Sequence, residues 1–143
     1  MLNHKAASDV HRSYWVICGV ALIWNLMGLA NFVWQMNPAS LASYPEAERA
    51  IIESRPAWAT AAFAIAVVFG VLGCGALLLR RSAATALLVV SLLGVVATTF
   101  HAFGVIGATS FGALIPPISA LVVAAFLVWY ARRAQARGWL RPA

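Results

Sequence analysis

Four stretches, residues 14–36, 57–79, 83–106 and 113–131, run for about twenty residues each without a single Asp, Glu, Lys or Arg. A helix rises about 1.5 Å per residue and a bilayer's hydrocarbon core is roughly 30 Å thick, so each stretch is long enough to cross a membrane. Lipid offers no partners for bare backbone groups, which leaves helices or a closed barrel, and runs of this length without two-residue alternation exclude the barrel. The expected fold is therefore all-α: an integral-membrane, antiparallel four-transmembrane-helix bundle forming a single domain over residues 1–143. Composition agrees, with 63% hydrophobic and 10% charged residues, far from the balance of a soluble domain.

The formal net charge of +6 does not point to nucleic acid. The basic residues flank the apolar runs and form no face or basic helix. Lys5 and Arg12 in the N-terminal tail, Arg80 and Arg81 in the turn between spans two and three, and Arg132, Arg133, Arg137 and Arg141 in the C-terminal tail all fall on one side. Only Arg49 and Arg55 fall on the other. The positive-inside rule then puts the tails, 1–13 and 132–143, in the cytoplasm and the 37–56 loop outside. The first run is too long for a signal-peptide core and reads as a retained helix. Cys18 and Cys74 sit inside apolar runs with no CxxC spacing, so they read as buried free thiols, with neither a disulfide framework nor a metal site indicated.

The outer loop contains "SYPEAERAIIE", where Ser43 is expected to cap a short amphipathic helix with Pro45 in its first turn. Ala47, Ala50 and Ile51 would face the bundle or the membrane surface, and Glu46, Arg49 and Glu53 water. Trp15, Trp34, Trp58, Trp129, Tyr130 and Trp139 lie near span ends, where such rings anchor at the headgroups. Trp24 is different, since it lies near the middle of the first span.

In the second span Ala62, Ala66, Gly70 and Cys74 recur every four residues, with Gly73 alongside. They form a small-residue seam that lets a neighbouring backbone come close. On a helical wheel of the first span, Trp24, Asn25, Gly28, Asn31, Phe32 and Gln35 share a sector of roughly 120°, and in the third Ser91, Gly94, Thr98 and His101 share one of about 80°. Both stripes run toward the outer leaflet, as does Ser119 in the fourth span, whose Pro116 and Pro117 are expected in its first turn. Two readings are open. The amides can bridge neighbouring helices, or they can line a polar pocket with Trp24, Asn25, Asn31, Gln35, Thr98 and His101 as ligand-binding residues, Gly28 serving as a packing position. A ring beside amides suits a neutral polar solute, offering an apolar face together with donors and acceptors.

Several classes are disfavoured. No span carries a membrane carboxylate of the kind proton-coupled multidrug exporters use, and a bis-histidine haem would need a second histidine in the bundle. The outer loops hold no cysteine for a thiol oxidase. No nucleophile–base or paired-carboxylate arrangement is present, so no enzymatic activity and no cofactor are expected.

The segments "ALIWNLMGLANFVWQM", "PEAERAIIESRPAWATAAFAIAVVFGVLGCGALLLRR" and "ARRAQARGWL" together resemble a family of small four-span bacterial inner-membrane proteins catalogued as sugar transporters. The resemblance is strongest over 21–81. It implies transport and a bacterial inner-membrane location, and it covers Trp24, Asn25, Gly28, Gln35, Glu46, Arg55, Pro56 and Trp58 but not His101. Two functions follow as expectations. One is binding or transport of a small neutral polar solute, with a homodimer completing the path because four helices enclose little space. The other is a non-catalytic accessory subunit docking through the seam of span two, or the stripe of span one, onto a larger membrane complex.

Overall fold

The computed structural model describes residues 10–107 and 110–142. The described chain forms α1 (Arg12–Gln35), a 3-10 turn (Pro38–Ser43), α2 (Glu46–Glu53), α3 (Ala57–Leu78), α4 (Ala83–Ile106) and α5 (Phe111–Ala136). Four of these, α1, α3, α4 and α5, are long and apolar enough to cross a membrane, which makes the chain a multi-pass membrane protein with an all-α bundle fold. The long helices succeed one another antiparallel, α1 packing on α3, α3 on α4 and α4 on α5. Lys5 and most of the N-terminal tail lie outside the described residues.

Because lipid tails are as apolar as leucine, helix association here depends on close packing more than on burial from water. The small-residue seam of α3 supplies that packing. A Cβ on Gly94 of α4 would sit 2.6 Å from the Ala62 carbonyl and 2.9 Å from the Ala66 nitrogen, and a Cβ on Gly73 would meet the Leu88 side chain at 2.6 Å. Gly70 also takes α1, Asn25 Oδ1 filling the place a Cβ would need, with Ser91 Oγ of α4 at 3.2 Å. Gly28 of α1 is less demanding, with Val67 at an ordinary 3.6 Å. The seam is thus filled by this chain's own α4 and α1, and it is not left open for a partner.

At the end of the bundle away from α2, the helices close on a core of Tyr14, Cys18, Leu77, Leu127, Tyr130 and Leu140. Tyr14 stacks on Tyr130 at 6.0 Å and meets Trp139 edge-on at 5.7 Å, while its hydroxyl donates to the Leu77 carbonyl. Tyr130 and Trp139 therefore differ from the expected interfacial anchors. Tyr130 is buried, and Trp139 is partly buried against the core. Cys18 and Cys74 are free and buried.

Two helices end in the same way. After α3, Arg80 N–H bonds to Leu77 O and Arg81 N–H to Ala76 O; after α5, Gly138 N–H bonds to Gln135 O and Trp139 N–H to Ala134 O. Both are Schellman ends, whose first non-helical residue must take a left-handed conformation. Gly138 does so freely at φ 71°, whereas Arg80 does so at φ 56° with a Cβ. The residue after each turn then pairs the two ends: Arg141 N–H reaches Arg80 O at 2.6 Å, Ser82 N–H reaches Arg141 O at 2.9 Å, and Arg80 Nε donates to Trp139 O at 2.7 Å. The C-terminal segment expected as a free tail is instead an extension of α5 followed by a docked strap.

Three other local expectations change. The helix of the fourth span is longer than 113–131 at both ends, and at its C-terminal end Ala, Arg and Gln after Trp129 are good helix formers that carry it to Ala136, with Ala131 and Ala134 packed in the core. Pro116 and Pro117 consequently fall in its second turn, where they deprive the Gly112 and Ala113 carbonyls of their usual donors. Ser43 does not cap α2. It ends the 3-10 turn, donating to the Ser40 carbonyl at 2.6 Å, and Pro45 precedes the helix without a side-chain cap. On α2 itself Ile51 is buried and Ala47 packs beside it, but Ala50 is exposed. The bundle-facing side is turned toward 48, 51 and 52, which brings Glu48 inward.

Candidate functional site

Along the half of the bundle nearer α2, α1 and α5 do not close on each other. Between them, floored by α3 and α4 and roofed by α2, lies a cavity of about 530 Å³, within the roughly 300–1,000 Å³ range of small-molecule sites. One chain lines this volume by itself.

Helix periodicity brings the polar stripes to it. From α1 come Trp24, Asn25, Gly28, Asn31 and Gln35; from α4, Ser91, Thr98 and His101; from α5, Pro116, Pro117 and Ser119. All six residues proposed from the sequence as ligand-binding border this one space. Trp24 is 44% exposed, which puts its ring at the rim and not in an enclosed wall. The deep end is apolar, with Val67, Leu88, Val123 and Leu127. The polar groups gather toward α2.

Each amide also has a partner within the chain. Asn25 Nδ2 donates to Ala21 O at 2.9 Å and lies 3.4 Å from Cys74 Sγ. Asn31 Oδ1 accepts the Tyr44 hydroxyl at 2.6 Å, and Gln35 Oε1 accepts Arg55 Nη2 at 3.0 Å. Asn31 Nδ2 and Gln35 Nε2 make no hydrogen bond among the described residues. His101 Nε2 lies 3.3 Å from the Ile51 carbonyl and its ring meets Trp58 edge-on at 6.0 Å. Ser91 and Thr98 are satisfied on backbone, Ser91 on Ala66 O of α3 at 2.6 Å and Thr98 on Val95 O of its own helix at 2.9 Å. The amides therefore do both things at once. Asn25 is tied to α1 and α3, while Asn31 and Gln35 hold the roof, and all three still face the cavity.

The roof segment is fastened by three polar links: Tyr44 to Asn31, Arg55 to Gln35, and His101 to the Ile51 carbonyl. Below it Ile51 packs with Ala102, Ile106, Ala113 and Leu114. Tyr44, Glu48, Arg55 and Phe63 are among the lining residues not singled out as ligand-binding from the sequence. Arg55 stands apart among them. Its guanidinium lies over the Phe63 ring at 4.9 Å, and its Nη1 is buried with no hydrogen-bond partner among the described residues. Burial lowers its pKa and the neighbouring Tyr44 works in the opposite direction. Loop residues carry no periodicity, so spacing could not have signalled the reach of Tyr44 or Arg55 into the cavity. Glu48, at a helical interval of three from Ile51, could have been placed on the inward face.

Among the described residues no group of three or more His, Cys, Asp or Glu side chains is arranged to hold a metal. No family model, curated protein or solved structure matches the chain.

Proposed function

We propose that this chain is a membrane-embedded binding module that takes a small polar solute of about sugar size into the cavity under α2, and serves its transport. The observation that carries the reading is the convergence of two polar stripes, from α1 and α4, together with Ser119 of α5, on one space of about 530 Å³. Amides, hydroxyls and an indole ring around such a space supply the donors, acceptors and apolar face that a hydroxylated or amide-bearing solute requires. Arg12, Arg80, Arg81, Arg132, Arg133, Arg137 and Arg141 gather at the end opposite α2, and this distribution supports an orientation with α2 outside and that end in the cytoplasm. The resemblance over 21–81 supports transport in a bacterial inner membrane.

The alternative of an accessory subunit loses its better docking element, since the α3 seam is already occupied. Purified protein in proteoliposomes, offered a panel of labelled small polar solutes with sugars and polyols among them, should accumulate at least one. Asn25→Leu should abolish accumulation while leaving the amount and helicity of the reconstituted protein intact. Normal accumulation by that variant would remove the cavity from the argument.

A further inference from the structure

The sequence stripes alone favour a neutral solute, because no Asp, Glu, Lys or Arg lies within a span. Folding adds a charge. Arg55 comes from the connection between α2 and α3 and joins the cavity lining near the polar end. Of its two terminal nitrogens, Nη2 bonds to the amide oxygen of Gln35, a neutral partner, and Nη1 is buried with no hydrogen-bond partner among the described residues. A buried guanidinium normally meets a carboxylate or phosphate, since a charged donor left unpaired in low dielectric is costly. Among the described residues no carboxylate does that here. Glu48, the one acidic residue in the lining, lies on α2, and Arg55 lies beyond that helix's C-terminal end at Glu53.

The rest of the cavity orders the remainder of such a ligand. Moving away from Arg55 and α2, the lining passes through Asn25 and becomes aliphatic at Val67, Leu88 and Leu127. Resting on the reading that this cavity binds a solute, we infer that the solute is a small amphipathic organic acid, its anionic head held by the guanidinium fork of Arg55 and its less polar body directed toward Leu88 and Leu127. The fork can grip a carboxylate or a phosphate with two parallel hydrogen bonds. Gln35 acts as the placeholder, occupying one nitrogen until the acid takes it.

The test uses the full chain in nanodiscs of zwitterionic lipid, titrated calorimetrically with 3-phenylpropionate, phenyl phosphate and the neutral 3-phenylpropionamide. Either acid should bind about tenfold or more tightly than the amide. Arg55→Gln should remove that preference, its circular dichroism matching wild type to show that the variant is folded, and Arg55→Lys should retain part of it. Nanodiscs with anionic lipid separate the sources of the head: acid binding lost to competition assigns the fork to a lipid headgroup, and unchanged binding assigns it to a soluble acid. Equal binding of acid and amide, both lost in Asn25→Leu, overturns the anionic head and leaves the cavity reading standing. No binding of any probe, with no accumulation of any solute in proteoliposomes, overturns both.

Discussion

Gly94→Ala tests the packing that brings the site together. In the structure a Cβ at Gly94 falls 2.6 Å from the Ala62 carbonyl oxygen, 2.9 Å from the Ala66 nitrogen and 3.1 Å from the Ala66 Cα. All three are backbone atoms of α3, so no side chain can swing aside. Ordinary contact begins at 3.4 Å, and restoring it from 2.6 Å requires α3 and α4 to separate locally by about 0.8 Å. Overpacking of this kind costs about 1–3 kcal/mol. The separation also disturbs Ser91, whose hydroxyl bonds across the same interface to Ala66 O. The control is Gly75→Ala, where nothing lies within 4 Å of the added Cβ and only helix propensity changes, in favour of alanine. Reversible unfolding of both variants in mixed micelles should place Gly94→Ala below wild type by that amount and Gly75→Ala at or slightly above it. If the two variants agree to within about 0.5 kcal/mol, the close α3–α4 approach is not what stabilises the bundle.

Tyr14→Phe should cost about 1–3 kcal/mol in the same assay, since it leaves the buried Leu77 carbonyl without the Tyr14 hydroxyl. Arg80→Ala and Arg80→Gly should differ in size. Alanine keeps the left-handed strain at φ 56° and loses the bond to Trp139 O, a loss of about 1 kcal/mol, whereas glycine relieves strain of about 1 kcal/mol as it gives up the same bond and should come out near neutral. His101→Leu removes the contact from α4 to the Ile51 carbonyl and leaves that carbonyl only the Ser54 hydroxyl as a side-chain partner among the described residues. Amide hydrogen exchange across 46–53 should rise several-fold in it, with α3 unchanged.

Span existence was legible because apolar length is a one-dimensional property. Residues 83–106 match α4 residue for residue. The stripes were legible for a related reason: helical periodicity alone decides that Asn25, Asn31 and Gln35 share a face, and that Thr98 and His101 do. What periodicity could not decide is which faces meet. Tyr130 reads as a headgroup anchor by its position at a span end, yet it is buried because the C-terminal strap folds Trp139 and Leu140 under it. Ser43 reads as a cap because its spacing to Glu46 suits one, but Pro38 starts a 3-10 turn that uses Ser43 first. Arg55 is the largest omission from the ligand-binding set, and its place in the cavity depends on three elements converging, which no local pattern encodes.

The stacked rings of Tyr14 and Tyr130 set a kinetic limit as well as a structural one. They belong to the same packed core as Leu88 and Leu127, which line the deep end of the cavity, so a bound molecule meets that core before it could pass them. Any passage through this chain requires those helices to part and close once per molecule, a rearrangement on the microsecond-to-millisecond scale of collective helix motion. Flux would then saturate with concentration and carry no single-channel current, the behaviour of a carrier and not of a pore.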